Sequence, residues 1–122
     1  MADDSVLIVM TSGPDTPRRC AAPFFFASLA VAMESEVTMF FTMDGTLLLK
    51  KGSAESIYPK AGGEPLSYFL REALDAGVKM LACTASMDLH DLHPADLIAD
   101  AHLAGGATML QLAEDAKTTF TF

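Results

Sequence analysis

The chain has 122 residues, sixteen acidic against eight basic, and its formal charge of −8 excludes it as a binder of nucleic acid or of anionic membrane. Apolar residues make up 51% of it and the mean hydropathy is +0.31, which is more apolar surface than one small core uses. The excess points to a subunit interface. The acidic balance either suits a partner with a basic patch or only keeps an apolar oligomer in solution.

Val6–Met10 is a short, β-branched apolar run closed by Thr11-Ser12-Gly13-Pro14, as expected of a strand buried on both faces. Asp15-Thr16-Pro17 carries helix-start chemistry, and a helix is expected from Arg18 to Glu34, with Pro23 in its first turns. The nearly uncharged run Cys20–Met33 has 14 residues, short of the roughly 20 that span a membrane. Val37–Thr42 reads as a second strand ended by Asp44-Gly45, whereas Leu47–Tyr58 has no clear assignment. Gly62-Gly63-Glu64-Pro65 opens a helix in which Leu66, Phe69, Leu70, Ala73 and Leu74 recur at helical spacing and Gly77 is the C-cap. Val78–Cys83 is the third strand, and Thr84–Asp88 opens a turn or helix. A short strand is expected around His102. A helix over Ala107–Ala116 with Leu110, Leu112 and Ala113 buried follows, and then a strand over Thr118–Phe122.

Strands alternating with helices from end to end predict one α/β sandwich domain over residues 1–122, with a mainly parallel sheet. Such sheets place their sites outside the carboxyl ends of the strands, here Thr11–Asp15, Thr42–Gly45 and Cys83–Asp88. Two cysteines are too few for a disulfide framework. The acidic opening Met-Ala-Asp-Asp lacks the basic stretch of a secretory leader, so a cytoplasmic chain with free thiols is expected.

Cys83 is the candidate nucleophile. It ends a strand and precedes the small polar turn Thr84-Ala85-Ser86, where a helix start would lower the thiol pKa; the competing reading is an inert buried cysteine. Cys20 follows Arg18 and Arg19 at a second helix start and is the possible second thiol, though it also opens an apolar run that suits a core cysteine. His90 is placed as a supporting group able to hydrogen-bond or protonate a sulfur near Cys83, and His93 shares that possibility. Their spacing from Cys83 fits no tight metal pattern, so no metal is expected. Neither a phosphate-binding glycine motif nor G-x-S-x-G is present, which argues against nucleotide binding and serine hydrolysis, and no cofactor is expected.

The strand Val78–Ala82 leading into Cys83-Thr84-Ala85-Ser86-Met87 resembles the active-site strand and turn of the DsrE/DsrF-like sulfur-relay family. The opening strand with its long apolar helix, and the closing helix Gly105–Ala116 with a Thr/Phe strand, extend the resemblance over the whole chain. It implies a three-layer sandwich around a roughly five-stranded sheet, and homo- or hetero-oligomers, commonly trimers and hexamers, with a homo-oligomer expected here. It also implies a cysteine, here Cys83, that accepts sulfane sulfur as a persulfide and exchanges it with partners such as a TusA-like carrier. Thr84, Ser86 and His90 would then be the supporting residues. The alternatives are an oligomeric scaffold or regulatory binding module in which the cysteine is inert, and a thiol peroxidase, for which no C-x-x-C pair is present.

Overall fold

The computed structural model describes residues 4–122. Its strands are β1 (Ser5–Met10), β2 (Glu36–Phe41), β3 (Lys79–Cys83), β4 (Ala101–Ala104) and β5 (Thr118–Thr121). They form one sheet in the order β4-β3-β2-β1-β5, and every pairing is parallel. The helices are α1 (Ala21–Ala32), α2 (Ser53–Ser56), α3 (Leu66–Ala76), α4 (Thr84–Leu89) and α5 (Gly106–Asp115). The α/β sandwich expected from the alternation of elements is therefore present, with all strands parallel.

Because successive side chains of a strand point to opposite faces, the apolar runs of β1, β2 and β3 feed two cores at once. Ile8, Met10, Met39, Phe41, Met80 and Ala82 pack with Phe24 and Ala27 of α1 and Leu66, Leu70 and Ala73 of α3. On the other face Leu7, Val9, Phe40 and Cys83 pack with the half-buried Met109, Leu112 and Ala113 of α5. The first core holds most of the buried side chains, and Phe24 and Phe41 meet there with ring centroids 5.9 Å apart. The second layer is thin, since none of α5 is fully buried.

Two local expectations change. The helix expected from Arg18 starts at Ala21 after a 3-10 turn over Pro17–Arg19, which places Pro23 third in α1, where an intrahelical N–H is not needed. Leu110, expected in the core, is 62% exposed. In α5 the sheet-facing stripe runs through Met109, Leu112, Ala113 and Ala116, and Leu110 projects away from it. The unassigned Leu47–Tyr58 stretch resolves into the end of a 3-10 segment (Met43–Leu49), with Leu48 and Leu49 buried, and the single turn of α2. Among the described residues no helix is long and apolar enough to cross a membrane.

Two close approaches fix the loops at the carboxyl edge. A side chain at Gly13 would run into the Asp44 carbonyl, and one at Gly45 would run into the Met10 carbonyl. Both positions therefore need glycine for space, with no demand on φ, and together they hold the loop after β1 against the loop after β2.

Candidate functional site

Cys83 is the last residue of β3 and the N-cap of α4, in extended geometry (φ −70, ψ 119). It is 7% exposed, at the rim of the second core. Burial alone pushes its thiol pKa up. The Ser86 N–H, the Thr42 hydroxyl, the Ser86 hydroxyl and the Ala85 N–H together outweigh burial and bring it below the ordinary thiol value. The sulfur closes no side-chain cap on the helix, and these four groups lower its pKa by favouring the charged form.

Ser86 is the hub of the surrounding network. Its Oγ lies 3.0 Å from Thr42 Oγ1 and accepts the Met43 N–H at 2.6 Å. Met43 sits in the left-handed region at φ 53, a conformation a non-glycine residue keeps only when its neighbours hold it. Its carbonyl accepts His90 Nε2 at 3.2 Å, and the same nitrogen lies 3.3 Å from Asp44 Oδ1. The segment Thr42–Asp44 is thus clamped onto α4 from both sides of Met43.

The structure brings Ser86 into the site and places His90 one step behind it. His90 Nε2 goes to Met43 and Asp44, and His90 is not among the groups that shift the Cys83 thiol. Thr84 is exposed as the first residue of α4, and its hydroxyl is not among those groups either. His93 lies at the start of a 3-10 turn, where its backbone N–H donates to Asp96 Oδ2 at 2.8 Å.

Cys20 lies in the first core, fully buried, on the opposite face of the sheet from Cys83. Its Sγ is 3.4 Å from both the Gly13 and Thr16 carbonyls, acceptors that favour the protonated thiol. Burial pushes its pKa up to about 11. The approach of the two thiols considered from the sequence does not occur. Among the described residues there is no group of three or more His, Cys, Asp or Glu able to hold a metal ion.

Thr42 and Met43 are the site residues that residue chemistry alone did not single out. The strand-end rule did point to Thr42–Gly45, and the parallel register of β2 with β3 is what carries that segment to Cys83.

Residues 4–122 match the DsrE/DsrF-like family. An uncharacterized protein of Methanocaldococcus jannaschii is 29% identical over 111 residues, 88% of this chain, and the chain spans 38% of that relative's length. Among solved structures the ychN protein from E. coli superposes with a TM-score of 0.80 at 16% identity, covering 97% of this chain and 98% of that one. A protein from Methanobacterium thermoautotrophicum superposes with a TM-score of 0.62 at 12% identity, covering 93% and 95%. These two similarities concern the fold.

Proposed function

The chain belongs to the DsrE/DsrF-like family, whose general role is sulfur relay, and we propose that it carries sulfane sulfur on Cys83 as a persulfide. The observation that supports this reading is the hydrogen-bonded setting of Cys83, in which two hydroxyls and two N–H groups overcome burial and hold the sulfur toward its thiolate. A buried cysteine with a purely packing role, such as Cys20, shows the opposite: a raised pKa and carbonyl acceptors.

In the transfer, the Cys83 thiolate attacks the terminal sulfur of a donor persulfide. A bond forms between Cys83 Sγ and that sulfur, the donor's S–S bond breaks, and its electron pair leaves with the donor cysteine as a thiolate. The sulfane sulfur changes carrier with no net oxidation. An acceptor thiolate repeats the step on Cys83, which departs as the thiolate its surroundings stabilise. The same surroundings serve as the leaving-group site on the way out. Burial of the sulfur limits access by oxidants.

The exchange partner in this reading is a small carrier of the TusA type that presents its cysteine on a mobile tail. Exposed Met43 and Leu89, in the same loop cluster as Ser86 and His90, give such a tail an apolar rim. The protein works as a homo-oligomer, a trimer or hexamer, in the cytoplasm. Support for assembly comes from α1, which is apolar on every side. Phe24 and Ala27 are buried, Phe25 is exposed, and Phe26, Leu29 and Met33 are exposed beside Phe120 of β5. A groove of about 220 Å³ runs between them, lined by Phe26, Leu29, Ala30, Met33, Phe120 and Phe122.

The test is sulfur loading. Reduced protein incubated with inorganic polysulfide gains one sulfur atom on the peptide containing Cys83, read by mass spectrometry, and Cys83→Ser gains none. Equal uptake by Cys83→Ser rules the reading out.

A further inference from the structure

In the ladder between β2 and β3, Phe41 lies beside Ala82, so the next residues, Thr42 and Cys83, fall level with each other. Thr42 stays extended (φ −132, ψ 165), and its N–H still donates to the Met10 carbonyl at 3.0 Å. By alternation Thr42 shares a face with Phe40, and Cys83 with Leu81, on the side of the sheet covered by α5. Ser86, the third residue of α4, bonds the Thr42 hydroxyl, so the hydroxyl pair stands beside the position of Cys83 in the ladder.

Counting protons sets the direction of these bonds. Each hydroxyl carries one proton. The Met43 N–H already fills one acceptor position on Ser86 Oγ, and the bond between Thr42 and Ser86 uses one of the two hydroxyl protons. One hydroxyl proton remains, and a Cys83 thiolate beside the pair is an acceptor only. We infer that Thr42 and Ser86 act in series, the Thr42 hydroxyl donating to Ser86 Oγ and the Ser86 hydroxyl donating to the Cys83 sulfur, which makes Thr42 a positioning residue for the reactive thiolate. When the sulfur carries a proton, its S–H donates into the pair and both hydroxyls turn over. On ionisation that proton leaves to solvent and neither hydroxyl loses its own.

The other groups facing the sulfur are the Ala85 and Ser86 N–H groups of α4, and the titratable His90, 3.3 Å from Asp44, bonds the Met43 carbonyl. A pH profile of Cys83 therefore reports on the hydroxyl pair. The inference rests on Cys83 being the reacting sulfur.

The experiment is a thiolate absorbance titration of the parent, Thr42→Val, Ser86→Ala and the double variant, with circular dichroism confirming the fold of each. Cys20 titrates far higher, at about 11, and stays out of the window. Ser86→Ala raises the Cys83 midpoint by roughly one pH unit, the worth of a hydrogen bond to a charged group, and Thr42→Val raises it by less, because Thr42 only orients the Ser86 hydroxyl. The double variant rises no further than Ser86→Ala, because Thr42 acts only through Ser86. Thr42→Ser, which keeps the hydroxyl, restores the parent midpoint. Additive rises in the double variant, an unmoved midpoint in Thr42→Val, or a Thr42→Ser midpoint as high as that of Thr42→Val would overturn the series arrangement. Sulfur loading of the same four proteins separates the two readings. A parent that takes up no sulfur while the midpoints follow the series pattern refutes the persulfide role and leaves the hydroxyl series standing.

Discussion

Cys20 and Cys83 face away from each other through one sheet: Cys20 packs in the core beneath α1 and α3, and Cys83 in the core beneath α5. Their environments differ in the same sense as their positions. Carbonyl acceptors and full burial hold Cys20 as a thiol, whereas N–H and hydroxyl donors draw Cys83 toward the thiolate. In the folded protein at neutral pH, iodoacetamide should therefore label Cys83 alone. Labelling of both cysteines at similar rates, read by peptide mass, would contradict the assignment of Cys20 to structure.

Cys20 also predicts an alkaline limit to stability. Its folded pKa, about 11, lies above the ordinary value of 9.0 that it regains on unfolding. Between these values the unfolded chain binds fewer protons than the folded one, so stability is intact below pH 9.0 and falls as pH rises toward 11. The loss should reach about 2 kcal/mol near the upper end. Urea titrations at successive pH values measure it, and the slope should flatten in Cys20→Ala, whose lower overall stability is a separate, pH-independent cost of the cavity.

The sequence carried the layer order well because each signal was local. Val6–Met10, Val37–Phe41 and Val78–Cys83 are unbroken apolar runs, and Gly77 (φ 103) ends α3 where the pattern places it. What it did not carry depends on register and on surroundings. Leu110 was expected to be buried because it lies in an apolar segment, but α5 covers the sheet alone and only one stripe of it touches strands. Cys83 and Ser86 were legible as a strand end followed by a small polar turn. Thr42 becomes visible as a site residue only when β2 is aligned beside β3. His90 was legible as a polar neighbour, but its bond to the Met43 carbonyl depends on a left-handed residue that composition does not reveal.

The glycine contacts make the carboxyl edge sensitive to a single methyl group. Gly45→Ala places a Cβ against the Met10 carbonyl, a backbone atom that cannot move aside without disturbing β1. The expected cost is about 1–3 kcal/mol, read as a lowered midpoint in thermal or urea denaturation. Gly52→Ala, at an open position with φ 84, carries only the strain of its backbone and should cost less. A larger loss for Gly52→Ala than for Gly45→Ala would contradict the close-approach argument.

The exposed apolar face of α1 predicts the site of assembly. Replacing Phe25 with Asp and Met33 with Lys, both more than half exposed in the single chain, should leave the fold intact and reduce the sedimenting mass to that of one chain. Analytical ultracentrifugation reads the outcome. An unchanged assembly in the double variant would place the subunit contact elsewhere.

The central claim, that Cys83 is a relay point for sulfane sulfur, is tested most directly by intact-mass spectrometry in two steps. The reduced protein is loaded with polysulfide, freed of excess reagent, and then mixed with a TusA-like carrier bearing a reduced cysteine. The account predicts that one sulfur atom is gained in the first step and lost to the carrier in the second, with Cys83→Ser inert in both. A parent that gains no sulfur, or a Cys83→Ser variant that loads and delivers as well as the parent, would contradict it.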